Sequence, residues 1–400
     1  MSQATTEVTA PGTITTQAAI ARAPHRGWEL TELRLDPPQA HEVRIRFHAA
    51  GLCHSDHHIT EGDALVRLPV VGGHEGAGVV ESVGPHVRRV KPGDRVVCSY
   101  IPACGKCRSC STGHQNMCDE GKNAGTGMFP DGTWRFHDDE GADLGGFCTL
   151  GTFSQYAVVL EWACIKLPDD IPFEIGSLVG CGVPTGWGSA VYAAGVRAGQ
   201  TVVIYGAGGV GSNAVQGARY AGAKNVVVVD PVEFKRDMAK VFGATHTFAE
   251  AQAAHDFVFD TTHAQLADHA ICTPGVLTEE IVRAATLVTG KGGKVTITAV
   301  GKATEKAVDV HGGFLISYQR QLRGALFGDC NPLYDVPRLL DLYRSGDLKL
   351  DELVTRRYRL DEVNQAYQDM LDGKNIRGVL IHEPEPSSGA TGAEPSVGAA

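Results

Sequence analysis

At 400 residues the chain is long enough for two or three domains, and its 43% hydrophobic and 20% charged side chains are those of an ordinary folded protein. With 36 basic against 46 acidic side chains the net charge is -10, which excludes bare nucleic acid or an anionic membrane as the expected partner; phosphates would have to meet a local site. The N-terminus has no basic start followed by an apolar run, and no apolar stretch approaches the roughly 18–20 residues of a membrane span, so a cytoplasmic location is expected. In a reducing compartment the 11 cysteines are read as metal ligands or core thiols, not as a disulfide scaffold.

Residues 1 to about 16 are rich in Thr, Ala and Gly, and the tail from 384 is polar and low in complexity; both are expected to be disordered. From Trp28 to about Val97, short alternating runs such as EVRIRF and GAGVVESVG are punctuated by Pro-Pro, Pro-Gly-Asp and Gly-Gly, which predicts an irregular, mostly antiparallel β region. GLCHSDHH and GGHEGAG within it supply Cys53 and His74. Cys104, Cys107, Cys110 and Cys118 follow on one short loop, where four thiolates can close a tetrahedral zinc site with no open position. A nucleic-acid-binding zinc ribbon is the other reading of that spacing, and the acidic balance disfavours it.

VGCGVPTG then supplies Cys181. Two cysteines and a histidine suit a catalytic zinc that keeps its fourth position for water or substrate, although each residue alone could equally be a core thiol or a turn histidine. Asp56 is placed to hold the far nitrogen of His74, and Glu75 to approach the metal itself.

The middle of the chain changes character. TVVIY enters the turn Gly206-Ala-Gly208-Gly209-Val210-Gly211, SNAVQGARYAG continues as a helix, and NVVVV ends at Asp230, nineteen residues past Gly211. This is a βαβ unit with a dinucleotide fingerprint, and the acid at the end of its second strand favours NAD over NADP. KVTITAV repeats the buried-strand signature. Between them DFVFD has the composition of a strand, but ADHAICTPG stands at the better distance and is taken as the next sheet strand. VPRLLDLYRSG and LDEVNQAYQDMLDG are amphipathic helices expected to return over the first domain.

These motifs resemble the zinc-dependent medium-chain alcohol dehydrogenases, from about Gln17 to Glu383. GLCHSDHH, GHEGAG, the four-cysteine loop, GTFSQYAVV, VGCGVPTGWGSAV, GAGGVG and GKNIRG occur in that family's order. VDPVEFKR and CNPLYDVPRLLDLYRSGDLKLDELVTRRY resemble its actinobacterial group assayed with nitroso-dimethylaniline (NDMA), nicotinoproteins that retain NAD between turnovers and are associated with mycofactocin.

The resemblance implies an α/β fold: a GroES-like irregular β catalytic domain from residues 17–182 and 327–383, and a Rossmann NAD-binding domain from 183–326. It implies two zinc ions, one on Cys53, His74 and Cys181 and one on Cys104, Cys107, Cys110 and Cys118. It implies that Ser55 is hydrogen-bonded to the oxygen of a small alcohol and passes its proton through the nicotinamide ribose to His58 and out to solvent. His54 and Arg377 match positions facing the pyrophosphate, and Asp230 and Lys235 match those around the adenosine ribose. Thr185 and the backbone at Val300, Ala325 and Phe327 match the nicotinamide seat, while Tyr100, Phe147 and Leu326 match the alcohol pocket. Pro274 departs from the family's β-branched residue near the adenine side.

The partners implied are an alcohol or aldehyde and an external acceptor such as mycofactocin, within a dimer or tetramer. A thiol-dependent formaldehyde dehydrogenase, an aldehyde dismutase, a conventional NAD-exchanging dehydrogenase and a zinc-bearing binding protein are the rival readings.

Overall fold

The computed structural model describes residues 12–382 other than Thr304 and Asp309. The continuous apolar runs of the middle of the chain form a parallel sheet, as expected for strands covered on both faces. Thr201–Tyr205, Asn225–Val229, His246–Phe248, Ala267–Cys272, Thr289–Ile297 and Gln321–Gly324 all run parallel, in the order third, second, first, fourth, fifth, sixth. That is the doubly wound dinucleotide-binding order, whose ligand crevice lies beyond the carboxyl ends of the first and fourth strands. Ala267–Cys272 takes the sheet position expected of ADHAIC, while DFVFD lies inside helix Ala251–Thr261. Ala254 and Val258, one helical turn apart, are the buried face of that helix.

The remaining strands are mostly antiparallel. Ile14–Ala21, Glu29–Leu35, Phe136–His137, Asp143–Gly146 and Val70–Val71 close a small barrel. A second sheet runs Cys164–Lys166, Arg95–Cys98, Gly76–Val83, Glu42–Gly51, Arg377–Ile381, Val354–Tyr358, with Tyr156–Leu160 also paired to Glu42–Gly51. The strand Arg377–Ile381 therefore returns from beyond the parallel sheet to pair Val379 with Gly51.

The expected N-terminal disorder is corrected at its end. Ile14, Thr15 and Thr16 pair with Leu35, Arg34 and Leu33, and the Thr16 hydroxyl accepts the amide of Tyr156 at 3.0 Å. A partner strand orders them, which local composition does not reveal. Residues 1–11 and the tail from 383 lie outside the described residues.

The two C-terminal helices divide their duties. Helix Val363–Leu371 packs Val363, Ala366, Tyr367 and Met370 against Trp28, Leu52 and Ile59 of the first domain. Helix Pro332–Arg344 instead buries Val336, Leu339 and Leu340 in a cluster that also holds Leu178, Trp187, Val202 and Ile204. One apolar core thus joins both sheets. No helix among the described residues is long and apolar enough to cross a membrane.

Trp187, 1% exposed, is the largest side chain in that shared core. Trp187→Ala is expected to cost about 3–5 kcal/mol of stability, read as a lower urea midpoint with an unchanged slope.

Candidate active site

The two cysteine-rich groups fit zinc on their own geometry. Sγ of Cys104 lies 4.0 Å from that of Cys110, and Sγ of Cys107 lies 4.0 Å from that of Cys118. A tetrahedron with Zn–S bonds of about 2.3 Å has edges of about 3.8 Å. Backbone amides already point at the sulfurs: Cys107 N to Cys104 Sγ, Cys110 N to Cys107 Sγ and Cys104 N to Cys118 Sγ, each at 3.4 Å. Against burial, which raises it, the amides of Asp119 and Cys110 bring the Cys107 thiol down to about 7.

The second group is assembled from three distant segments. Ligand atoms of Cys53, His74, Glu75 and Cys181 lie within 4.8 Å of one another. His74 Nδ1 lies 3.0 Å from Oδ2 of Asp56, and Oδ1 of that fully buried carboxylate accepts the amide of Gly73 at 2.8 Å. The other ring nitrogen is left for a metal. Glu75 also serves a second partner: its carboxylate forms an ion pair with Arg377 and accepts the amide of Gly182 at 3.2 Å. The Cys53 thiol is drawn well below its usual value by hydrogen bonding with Cys181, with His74 and Arg377 adding to the effect against burial.

A cavity of about 200 Å³ opens on this group. Ser55, His58, Tyr100, Phe147, Thr185, Val300, Ala325, Leu326 and Phe327 line it, so the proton-relay, nicotinamide-seat and alcohol-pocket residues are brought together. Ser55 Oγ lies 3.7 Å from Cys53 Sγ. Thr185 Oγ1 is buried and makes no hydrogen bond within the described residues. Leu326, 47% exposed, stands at the mouth.

A larger cleft of about 510 Å³ is lined by His54, Gly206, Gly208, Gly209, Val210, Asp230, Lys235 and Arg377. Helix Gly209–Tyr220 begins at its wall, so unpaired amides face the cleft. Gly206 takes φ +93°, and a Cβ on Gly211 would strike the Gly206 carbonyl, whereas space beside Gly208 is open. Asp230 accepts the amides of Ala207 at 2.8 Å and Val232 at 2.9 Å, which fixes its carboxylate at the end of the second strand. Burial, with Lys235 and neighbouring histidines adding, pushes His54 down to about 4, so its imidazole is neutral near pH 7.

The two cavities are adjacent and share part of their walls. Cys53, His54, Val210, Pro274 and Gly275 line both. Pro274 is therefore at the junction and not confined to the adenine side. Gly275, Thr273 and the 298–299 segment were not singled out by sequence, since nothing in TPG marks it as the roof of a site. His58 also differs from expectation: its side chain is 2% exposed, so it does not itself reach solvent.

Comparison with known proteins agrees with this arrangement. The alcohol dehydrogenase GroES-like domain matches residues 39–169, and the zinc-binding dehydrogenase family matches residues 209–345. An NDMA-dependent alcohol dehydrogenase of Amycolatopsis methanolica is 53% identical over 370 residues, 92% of this chain and 100% of that one. An S-(hydroxymethyl)glutathione dehydrogenase of Komagataella pastoris is 37% identical over 91% of this chain and 97% of its own. The crystal structure of benzyl alcohol dehydrogenase from Acinetobacter calcoaceticus superposes with a TM-score of 0.85 at 30% identity, covering 92% of this chain and 99% of that one. The two family models match the β domain and the parallel-sheet domain in turn, the sequence similarity runs along nearly the whole length, and the chain belongs to the zinc-binding alcohol dehydrogenase family.

Proposed function

We propose that this chain oxidises a small alcohol to an aldehyde or ketone by hydride transfer to NAD, and that the NAD stays bound and is reoxidised in place by an external acceptor. The observation that carries the chemistry is the wall shared by the two cavities at Cys53, His54, Val210, Pro274 and Gly275, which supports reading the larger cleft as a dinucleotide cleft beside the Cys53, His74 and Cys181 group. An external acceptor is supported by the 53% identity to an NDMA-dependent alcohol dehydrogenase; retention of NAD, and mycofactocin as the natural acceptor, rest on the resemblance of VDPVEFKR and the C-terminal motifs.

Zinc on Cys53, His74 and Cys181 supplies a Lewis acid that eases loss of the alcohol proton, and NAD supplies the hydride acceptor. Ser55 takes the hydroxyl proton and His58 receives it further along the same wall. Tyr100, Phe147 and Leu326 hold the apolar part of the alcohol and keep water from it. The buried Thr185 hydroxyl and the backbone of Val300, Ala325 and Phe327 would hold the nicotinamide. The amides at Gly208–Gly211, with Arg377 and His54, would hold the pyrophosphate. Asp230 has lone pairs left for two ribose hydroxyls and repels a 2′-phosphate, with Lys235 beside it. Cys104, Cys107, Cys110 and Cys118 hold a second, structural zinc. The thiol-dependent formaldehyde dehydrogenase reading rests on a 37% relative and is the weaker of the two.

Metal analysis of purified protein is expected to find two zinc ions per chain. Cys107→Ser should lower the melting temperature along with one zinc, because a closed metal site contributes folding free energy. Asp56→Asn should leave the fold intact and weaken zinc at the other site by about 10–100-fold.

Asp230→Gly is expected to weaken NAD and relax discrimination against NADP, since it removes a ribose acceptor and a repelling charge together. Nucleotide titration of stripped protein checks this; an unchanged preference would contradict the assignment.

Alcohol oxidation should stall after a single turnover in buffer, should not resume with free NAD, and should resume with nitroso-dimethylaniline. Denatured protein should release NAD(H) in proportion to chain. Sustained turnover on free NAD would make this a conventional exchanging dehydrogenase.

A further inference from the structure

The proton route described above ends on a buried group. His58 is 2% exposed, and both of its ring nitrogens are engaged. Nε2 lies 3.2 Å from the carbonyl oxygen of Gly275, an acceptor only, and Nδ1 lies 3.3 Å from Oδ2 of Asp63. Asp63 is 18% exposed, so its carboxylate stands between the imidazole and water. Backbone contacts hold it there. Its amide donates to the His58 carbonyl at 2.9 Å, and its own carbonyl accepts the amide of Ala303 at 2.9 Å. The charged and titratable neighbours are His54 and His57 from the helix that carries His58, Glu61 just beyond it, and Lys302 from the opposite segment, which interacts electrostatically with Asp63.

We propose that Asp63 is a positioning residue for alcohol oxidation that also forms the proton exit: it holds the resting imidazole by its Nδ1–H, and once Nε2 has taken a proton from the cavity side, which the Gly275 carbonyl then accepts in a hydrogen bond, Asp63 receives the Nδ1 proton and passes it to water. Only N–H and O–H bonds form and break, and no oxidant or further reactant is needed. The inference rests on His58 being the proton acceptor in the reaction assigned above. It explains why a histidine without access to solvent can serve that step.

The test follows a single turnover of NAD-loaded protein on ethanol or benzyl alcohol, whichever reacts faster. Bound NADH is read by absorbance and the released proton by a pH-indicator dye. In wild-type protein the two signals rise together. In Asp63→Ala and Asp63→Asn the proton signal should lag by about tenfold, with the KM for alcohol and the bound NAD unchanged. Formate, which fits the space left by the removed carboxylate, should restore the rate in Asp63→Ala. Glu61→Ala, which removes the neighbouring exposed carboxylate, should behave as wild type.

Proton release in step with NADH in both Asp63 variants overturns the proposal. So does a lag that formate leaves unrelieved and that comes with loss of NAD, the mark of a packing residue. If Asp63→Ala fails to fold, Asp63→Asn decides by the same lag. His58→Gln separates the two levels: a lag there without one in the Asp63 variants removes only Asp63, whereas no lag in His58→Gln removes the relay through His58 and the proposal with it.

Discussion

The ion pair between Arg377 and Glu75 is the constraint on which the site depends. The two side chains are 5% and 0% exposed, at the place where both sheets and the nucleotide turn converge. Three glycines make room for them. A Cβ on Gly51 would strike the Glu75 carboxylate, and one on Gly182 or Gly209 would strike Arg377. Gly51 lies two residues before Cys53, Gly182 follows Cys181, Glu75 follows His74, and Gly209 belongs to the dinucleotide turn. Every segment that carries a catalytic-site ligand is therefore packed against one charge pair. Removing either partner would strand a buried charge, which typically costs about 3–5 kcal/mol. The pair also sets the local field. Burial pushes the Glu75 carboxyl up while Arg377 draws it back, and the same guanidinium helps hold Cys53 toward the thiolate that a metal needs.

Which features were legible in the sequence follows from how local their geometry is. The four cysteines of 104–118 close within one loop, and GAGGVG is strand, turn and helix start in six residues, so spacing alone describes both. Cys53, His74 and Cys181 have no such local signature: their residue types, with Asp56 and Glu75 beside them, suggest a metal set, and the similarity to a known order of motifs strengthens it. Strand pairing of Ile14–Thr16 was hidden because Leu33–Leu35 supply it from elsewhere. DFVFD misleads by composition, since its Phe and Val residues are spread around a helix whose buried face needs only Ala254 and Val258.

Depth was the least legible property of all. HSDHHIT carries three histidines and an aspartate in seven residues, yet Asp56 and His58 are 0% and 2% exposed. Asp56 is sunk because it must reach His74. His58 is sunk because the Gly275 segment closes over it. A burial pattern set by another domain leaves no trace in the heptapeptide, and this is why Asp63, five residues on and partly exposed, acquires meaning only in the folded molecule.

The contacts between the two sheets fall into two kinds, and the difference bears on how a nucleotide could be retained. Far from the cleft mouth they share an apolar core containing Trp187, Val202, Leu178 and Leu339. Beside the two cavities hydrogen bonds bridge as well: His58 to the Gly275 carbonyl, the amide of Ala303 to the Asp63 carbonyl, and Asn116 Nδ2 to the Leu326 carbonyl. Each such hydrogen bond contributes about 0.5–1.5 kcal/mol. On the proposed function, retention would draw on contacts to the nucleotide itself, in the cleft lined by Arg377, Asp230 and the start of helix Gly209–Tyr220. There the ion pair with Glu75 already fixes Arg377, so little ordering would be left for a pyrophosphate to impose.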